Sequence, residues 1–276
     1  MATVNGPVAD ASATVEPARD PGKGTVEFRF RLKELVSGLS DTYPAGMRER
    51  ERLDVERICF HVELVHRQGA RLVDLGGGLG MFSPACASLG MDAFLVDDFS
   101  DSVSDDHRIE DIPAHRNSGV HVIRTPVLEW GRYFESNSLD VVTIFDSMEH
   151  WHHSPRPVLI EAHRALRPGG TLLISAPNAV NLYKRFTVPL GRGNWSDFDD
   201  WFYPEQFRGH VREPVLADLL RLVDELGFIK LGVWGRNWAG YLGGKLKRGI
   251  TRVVDLPLRA RPTLCSDLYV MAAKPS

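Results

Sequence analysis

Val73-Asp74-Leu75-Gly76-Gly77-Gly78-Leu79-Gly80 is the stretch on which the fold turns. The run Arg71–Leu75 reads as a short buried strand. The glycines after it allow a tight turn and a close backbone approach where a Cβ would clash. Their spacing is G-x-G-x-G, whereas dinucleotide-binding strands carry G-x-G-x-x-G. Asp74 stands inside the strand end, where a carboxylate can accept from an amino-acid ammonium or organise the loop. A second acidic pair, Asp97-Asp98, closes the next apolar run, where a carboxylate can hold two ribose hydroxyls.

Outward from this loop, short apolar runs recur at Ala93–Val96, Val120–Ile123, Val141–Phe145 and Thr171–Ser175, separated by helix-length segments. Alternation of this kind predicts an α/β fold, a mainly parallel sheet with helices on both faces. Arg167-Pro168-Gly169-Gly170 predicts a sharp turn before its strand, and Ala176-Pro177-Asn178 a stop after it. Val215–Leu226 has helical spacing and ends at Gly227. Phe228–Trp234 and Leu268–Ala272 read as the last two strands. Upstream, Leu53, Ile58, Val62 and Val65 recur at helical spacing, so residues 26–68 are read as N-terminal helices and 1–25 as a disordered tail. Residues 69–276 form the main domain, with a lid insertion at about 179–210 and a basic insertion at about 238–261. Lys245, Lys247, Arg248 and Arg252 make the latter a solvated face by the commonest reading. A peripheral membrane helix and a homodimer contact are its alternatives.

Composition narrows the function classes. Of 276 residues, 43% are hydrophobic and 25% charged, enough for a sizeable core. The net charge of −3 supplies no global field for nucleic acid, and none is expected as a partner. Cys59, Cys86 and Cys265 form no C-x-x-C pair, which argues against a disulfide scaffold or a thiolate zinc site. No run is long and apolar enough for a transmembrane segment, and the start lacks a signal-peptide pattern. A cytoplasmic protein is the expectation.

The glycine loop and acidic pair resemble those of class I S-adenosylmethionine-dependent methyltransferases. Leu139-Asp140-Val141-Val142, Glu149-His150 and Leu166-Arg167-Pro168-Gly169-Gly170 follow in that family's order. The resemblance implies a Rossmann-like, seven-stranded sheet ending in an antiparallel hairpin, with S-adenosyl-L-methionine across strands one and two. Asp74, Gly76, Gly78, Gly80, Asp97, Asp98 and Phe145 would contact it, with Asp98 the better match than Asp97 for the ribose. Arg124-Thr125-Pro126-Val127-Leu128-Glu129 departs from the family's acidic adenine contact and leaves that contact unassigned.

Asp146-Ser147-Met148-Glu149-His150-Trp151-His152-His153 follows the fourth strand. Two carboxylates and an imidazole this close can converge on one divalent cation; the alternative is a Glu-His pair that merely orders its loop. The Asp-x-x-Glu-His spacing resembles ubiquinone-biosynthesis O-methyltransferases. With Gly209-His210-Val211-Arg212-Glu213 it also resembles small-RNA 2′-O-methyltransferases. On that resemblance Asp146, Glu149, His150 and His210 are expected to hold a divalent metal, Mg²⁺ ahead of Mn²⁺ or Zn²⁺. Asp146, His150, His153 and His210 are the expected catalytic groups, with His152 or His153 able to take a proton.

Trp195, Phe198, Trp201, Phe202 and Tyr203 interleave with Asp197, Asp199 and Asp200. Aromatic faces beside carboxylates suit a sugar and would repel an RNA backbone, although such aromatics also close small cores. The sequence therefore points to metal-assisted O-methylation of a small-molecule or oligosaccharide acceptor, a carbohydrate or glycoside. A phenolic or quinone precursor comes second and a small-RNA 2′-hydroxyl third; a cofactor-binding scaffold is the non-enzymatic alternative.

Overall fold

The computed structural model describes residues 24–100, 108–192, 196, 198–205, 207, 209–238 and 245–276. The expected tail lies outside these residues except at its last two positions, as do Trp195 and Asp197 of the lid. Seven strands form one sheet: β1 (Arg71–Leu75), β2 (Asp92–Asp97), β3 (His121–Arg124), β4 (Leu139–Phe145), β5 (Leu166–Pro177), β6 (Ile229–Arg236) and β7 (Asp267–Ala273). Their order is β3-β2-β1-β4-β5-β7-β6. The first five pair in parallel, and β7 runs antiparallel between β5 and β6. The expected fold class holds, antiparallel hairpin included.

Side chains alternate across the strands and so divide the core in two. Leu72, Val141, Leu173 and Tyr269 point to one face and join Leu32, Val36, Met47, Val55, Ile58 and Val62. These last residues come from the helices α1 (Val26–Asp41) and α2 (Ala45–Val65). Thr25 starts α1 by accepting the Phe28 amide at its Oγ1, 3.1 Å away. Val73, Val142, Leu172, Ile174 and Val270 point to the other face. There they meet Leu159 and Ala162 of helix Arg156–Ala165, and Leu219 and Val223 of helix Leu216–Glu225. The latter helix stops at Gly227, whose φ of +74° lets the Phe228 amide reach back to the Val223 carbonyl at 2.9 Å.

The turn expected before the fifth strand is absorbed into it. Leu166 pairs with Leu139 and Thr171 with Val141, so Arg167–Gly170 bulge out of the ladder between them. Gly169, at φ +73°, donates its amide to the Lys274 carbonyl at 3.0 Å. The edge therefore stays hydrogen-bonded although the parallel register breaks.

The segment expected to form a lid carries a helix at Leu182–Thr187 and a short one at Phe198–Phe202. The basic insertion carries the helix Lys245–Arg259. Among the described residues no helix is long and apolar enough to cross a membrane. Cys59, Cys86 and Cys265 are buried free thiols.

Candidate active site

The C-terminal ends of β1, β2 and β4 meet at the glycine loop. Gly76 continues the β1–β2 ladder by donating to the Val96 carbonyl at 2.8 Å, then turns at φ +74°. A Cβ there would collide with the Ser147 hydroxyl, so the loop can pass the strand-four segment only as glycine. Gly78 donates to Asp97 Oδ2 at 2.9 Å, and the Phe99 amide donates to Asp97 Oδ1 at 2.6 Å. Asp98 is exposed and accepts the nearby Ser100 amide at 3.0 Å. Of the acidic pair, Asp97 is thus the one bonded to the glycine loop. The strand runs one residue further than its apolar run, to Asp97, so Asp97 and not Asp98 faces the loop.

Asp74 lies beneath the loop and is buried. It accepts from Ser83 Oγ at 2.8 Å and Thr143 Oγ1 at 2.7 Å, and burial pushes its carboxyl up to about 6. A Cβ on Gly77 would meet the Asp74 carboxylate, so the loop passes close over it. The far side of the loop is held at the Leu79 carbonyl, which accepts from the Tyr43 hydroxyl at 2.7 Å and lies 3.0 Å from His115 Nε2. A carbonyl only accepts, so Nε2 carries the imidazole proton. Burial drives the Tyr43 phenol up and the His115 imidazole down to about 4. Neither residue carries a local sequence signal.

Phe145 ends β4 in the core. Its ring stacks on His61 at 4.1 Å and meets Phe82 edge-on at 4.8 Å. At this position the ring makes a packing contact that helps seat α2. Asp146 follows at φ +47°, a strained setting for a non-glycine residue. Ser175 Oγ donates to it at 2.9 Å, and Arg57 of α2 donates from Nη1 at 2.9 Å while reaching Asp54 from Nη2 at 2.7 Å. Arg57 lies 89 positions from Asp146, beyond the reach of any spacing rule.

The expected four-residue metal set contracts to three. Among the described residues, Glu149, His150 and His210 bring ligand atoms within 4.8 Å of one another, and Asp146 is outside the group. The reason is the Arg57 ion pair, which holds that carboxylate. The Glu149 backbone carbonyl accepts the Val211 and Arg212 amides at 2.7 and 3.2 Å, bringing the 209–213 segment to it. His150 and His210 stand edge to face with centroids 4.8 Å apart. Glu149 Oε2 is buried with no hydrogen-bond partner among the described residues, and burial, then Asp146, pushes the Glu149 carboxyl well above its usual range. His210 bonds through Nδ1 to Glu213 Oε1 at 2.7 Å, and Glu213 also pairs with Lys184. Burial opposes ionisation of Glu213, but the bonds from His210 and Lys184 hold it below the ordinary carboxylate range. A carboxylate on Nδ1 fixes the tautomer in which Nε2 is the ligating nitrogen, a common support for metal-binding histidines.

Beside His210 opens a cavity of about 410 Å³ lined by His152, Ser196, Trp201, Phe207 and Val211. His152 Nε2 lies 3.3 Å from the Phe207 carbonyl. His153 is half-buried; it stacks on Trp151 at 5.2 Å and bonds the Ser154 carbonyl, and His152 rather than His153 lines the cavity.

A family model of the methyltransferase domain matches residues 47–231. The chain belongs to the methyltransferase-domain family. No curated protein matches it. Among solved structures, the methyltransferase is similar to an S-adenosylmethionine-dependent methyltransferase from Archaeoglobus fulgidus. The TM-score is 0.53 at 16% identity, over 83% of this chain and 97% of the other. A second such enzyme, from Mesorhizobium loti, matches with TM-score 0.51 at 16% identity over 80% and 97% of the two chains. A Haemonchus contortus phosphoethanolamine N-methyltransferase, solved with S-adenosylhomocysteine, gives 0.50 at 20% identity over 77% and 50%. These likenesses are of fold. The methyltransferase thus uses S-adenosylmethionine as methyl donor, and the open glycine loop beneath a strand-end carboxylate suits that cosubstrate.

Proposed function

We propose that this methyltransferase transfers the methyl group to a hydroxyl of a carbohydrate or glycoside, assisted by a divalent cation at Glu149, His150 and His210. The observation that carries this reading is the approach of one ligand atom each from Glu149, His150 and His210 to within 4.8 Å of one another, with Glu149 Oε2 buried and without a hydrogen-bond partner among the described residues. Such an oxygen is costly to bury unless something compensates it, and a cation does. One carboxylate and two imidazoles suit Mn²⁺ or Zn²⁺ better than Mg²⁺, which reverses the order expected when Asp146 was counted in.

The sulfonium of S-adenosylmethionine supplies an electrophilic methyl group. Transfer forms an O–CH₃ bond, breaks the S–CH₃ bond with its electron pair returning to sulfur, and releases the hydroxyl proton. A divalent cation supplies Lewis acidity, which lowers the pKa of an otherwise weakly nucleophilic alcohol. The protein does the rest. Asp97, which accepts the Gly78 and Phe99 amides at the glycine loop, stands where a carboxylate would hold the ribose hydroxyls. Glu213 orients His210, and Arg57 with Ser175 fixes Asp146 and the segment after it. His152 stands at the cavity wall to receive the proton. Trp201 and Phe207 offer faces for sugar C–H groups, and Ser196 offers a hydroxyl.

The test is methyl transfer from labelled S-adenosylmethionine to sugars, glycosides and catechols, after chelation and with Mn²⁺, Zn²⁺ or Mg²⁺ restored. Glu149→Gln is expected to lower metal-restored turnover by about 100-fold while cofactor binding by calorimetry persists. Activity untouched by exhaustive chelation would remove the cation from the reading. Activity on catechols alone would move the acceptor to the phenolic class.

A further inference from the structure

The helix Lys245–Arg259 sits on the protein the wrong way out for a solvated element. Its inward side is polar. Thr251 and Asp255 are buried, Asp255 accepts from Asn237 Nδ2 at 2.8 Å, and Arg259 Nη2 reaches Asp255 at 2.6 Å. Its outward side is apolar. Leu246 is 79% exposed, Ile250 57%, Val253 77% and Leu256 73%. The spacing of 246, 250 and 253 places them on one stripe, as 251 and 255 share the opposite one. A second apolar group is also exposed. Tyr183, Phe186 and Leu190 are 69, 67 and 79% exposed at the lid helix and the turn after it. Arg185 Nη2 ties that helix to the Thr263 carbonyl at 3.1 Å, four residues beyond the end of the inverted helix.

We infer that this face seats the methyltransferase on the surface of an anionic lipid bilayer, with the outward stripe entering the interfacial region. Charge selects the occupant. Residues 245–261 hold six basic residues, Lys245, Lys247, Arg248, Arg252, Arg259 and Arg261, against the single acid Asp255, in a chain whose net charge is −3. A basic amphipathic helix with an exposed apolar stripe meets both requirements of an anionic interface, buried apolar area and attraction to headgroups. A second copy of the chain would bring this basic segment against its like. The inference stands whatever the acceptor is.

Co-sedimentation of the whole chain with vesicles tests it. Binding is expected to phosphatidylcholine vesicles containing phosphatidylglycerol, to weaken with salt, and to be far weaker with phosphatidylcholine alone. Leu246→Asp with Val253→Asp should lower the bound fraction at least about tenfold with an unchanged thermal melt. Arg261→Gln, at an exposed position outside the helix, should weaken binding about fivefold and keeps the test alive if the double variant loses its fold. Absence of binding to anionic vesicles overturns the inference, as does binding indifferent to these substitutions. A dimer in sedimentation velocity that the same substitutions dissociate, without vesicle binding, overturns it in favour of a second copy.

Discussion

His115 shows how a single side chain couples the cofactor loop to pH. Its imidazole is held down to about 4 by burial while it serves the Leu79 carbonyl. In the unfolded chain it would protonate near 6.5. The folded form therefore binds fewer protons between those values, and its contribution to stability is lost as pH falls from about 6.5 through 4. Buried carboxyls raised in the fold, Asp74 to about 6 and Glu51 to about 7, work in the opposite direction, so the net curve alone is uninformative. The comparison that isolates the histidine is wild type against His115→Gln. The stability difference between them, from urea unfolding, should shift against the wild type by up to about 3 kcal/mol across that interval. A difference flat with pH would mean that the imidazole is charged in the fold. Asp97 belongs to the same scale. One residue of strand length decided which of two adjacent carboxylates meets the loop.

Among the elements, α2 does the most to connect the N-terminal segment with the chemistry. It reaches the sheet through Arg57 to Asp146, and through His61, whose Nε2 lies 2.7 Å from the Tyr269 hydroxyl. Arg57→Ala removes one guanidinium from two largely buried carboxylates, Asp54 and Asp146. Leaving such charges uncompensated should destabilise the fold by about 2–3 kcal/mol in urea unfolding and lower turnover more than it weakens cofactor binding. Unchanged stability would reduce the pair to a solvent-level contact. The inverted helix Lys245–Arg259 carries the opposite lesson. Its sequence read as a solvated basic face, yet Asp255 draws the polar stripe inward through Asn237 and Arg259. A periodic pattern tells which residues share a stripe and not which stripe meets the protein.

At the scale of the molecule, one sheet face depends on the N-terminal helices. Leu72, Val141, Leu173 and Tyr269 bury themselves against Leu32, Val36, Val55, Ile58 and Val62. A chain of residues 67–276 would expose that face together with the Leu79 clamp, which loses Tyr43. Such a chain is expected to aggregate or bind a hydrophobic dye and to lack a cooperative melt, since exposing this much apolar surface exceeds the usual margin of stability. A sharp transition in circular dichroism from that fragment would show that the helices are dispensable. The sequence by itself determined the strand order of appearance, the glycine loop and the neighbourhood of Glu149-His150. Each depends on local rules: apolar periodicity, the φ freedom of glycine, and short spacings. Only the tertiary structure decided that Asp146 pairs with Arg57 instead of joining the donor cluster, and that Glu213 orients His210. It alone also turned the apolar stripe of the last helix outward. Those outcomes rest on contacts between segments far apart in the chain, where charge pairing and competition for buried area, not local propensity, choose the partner.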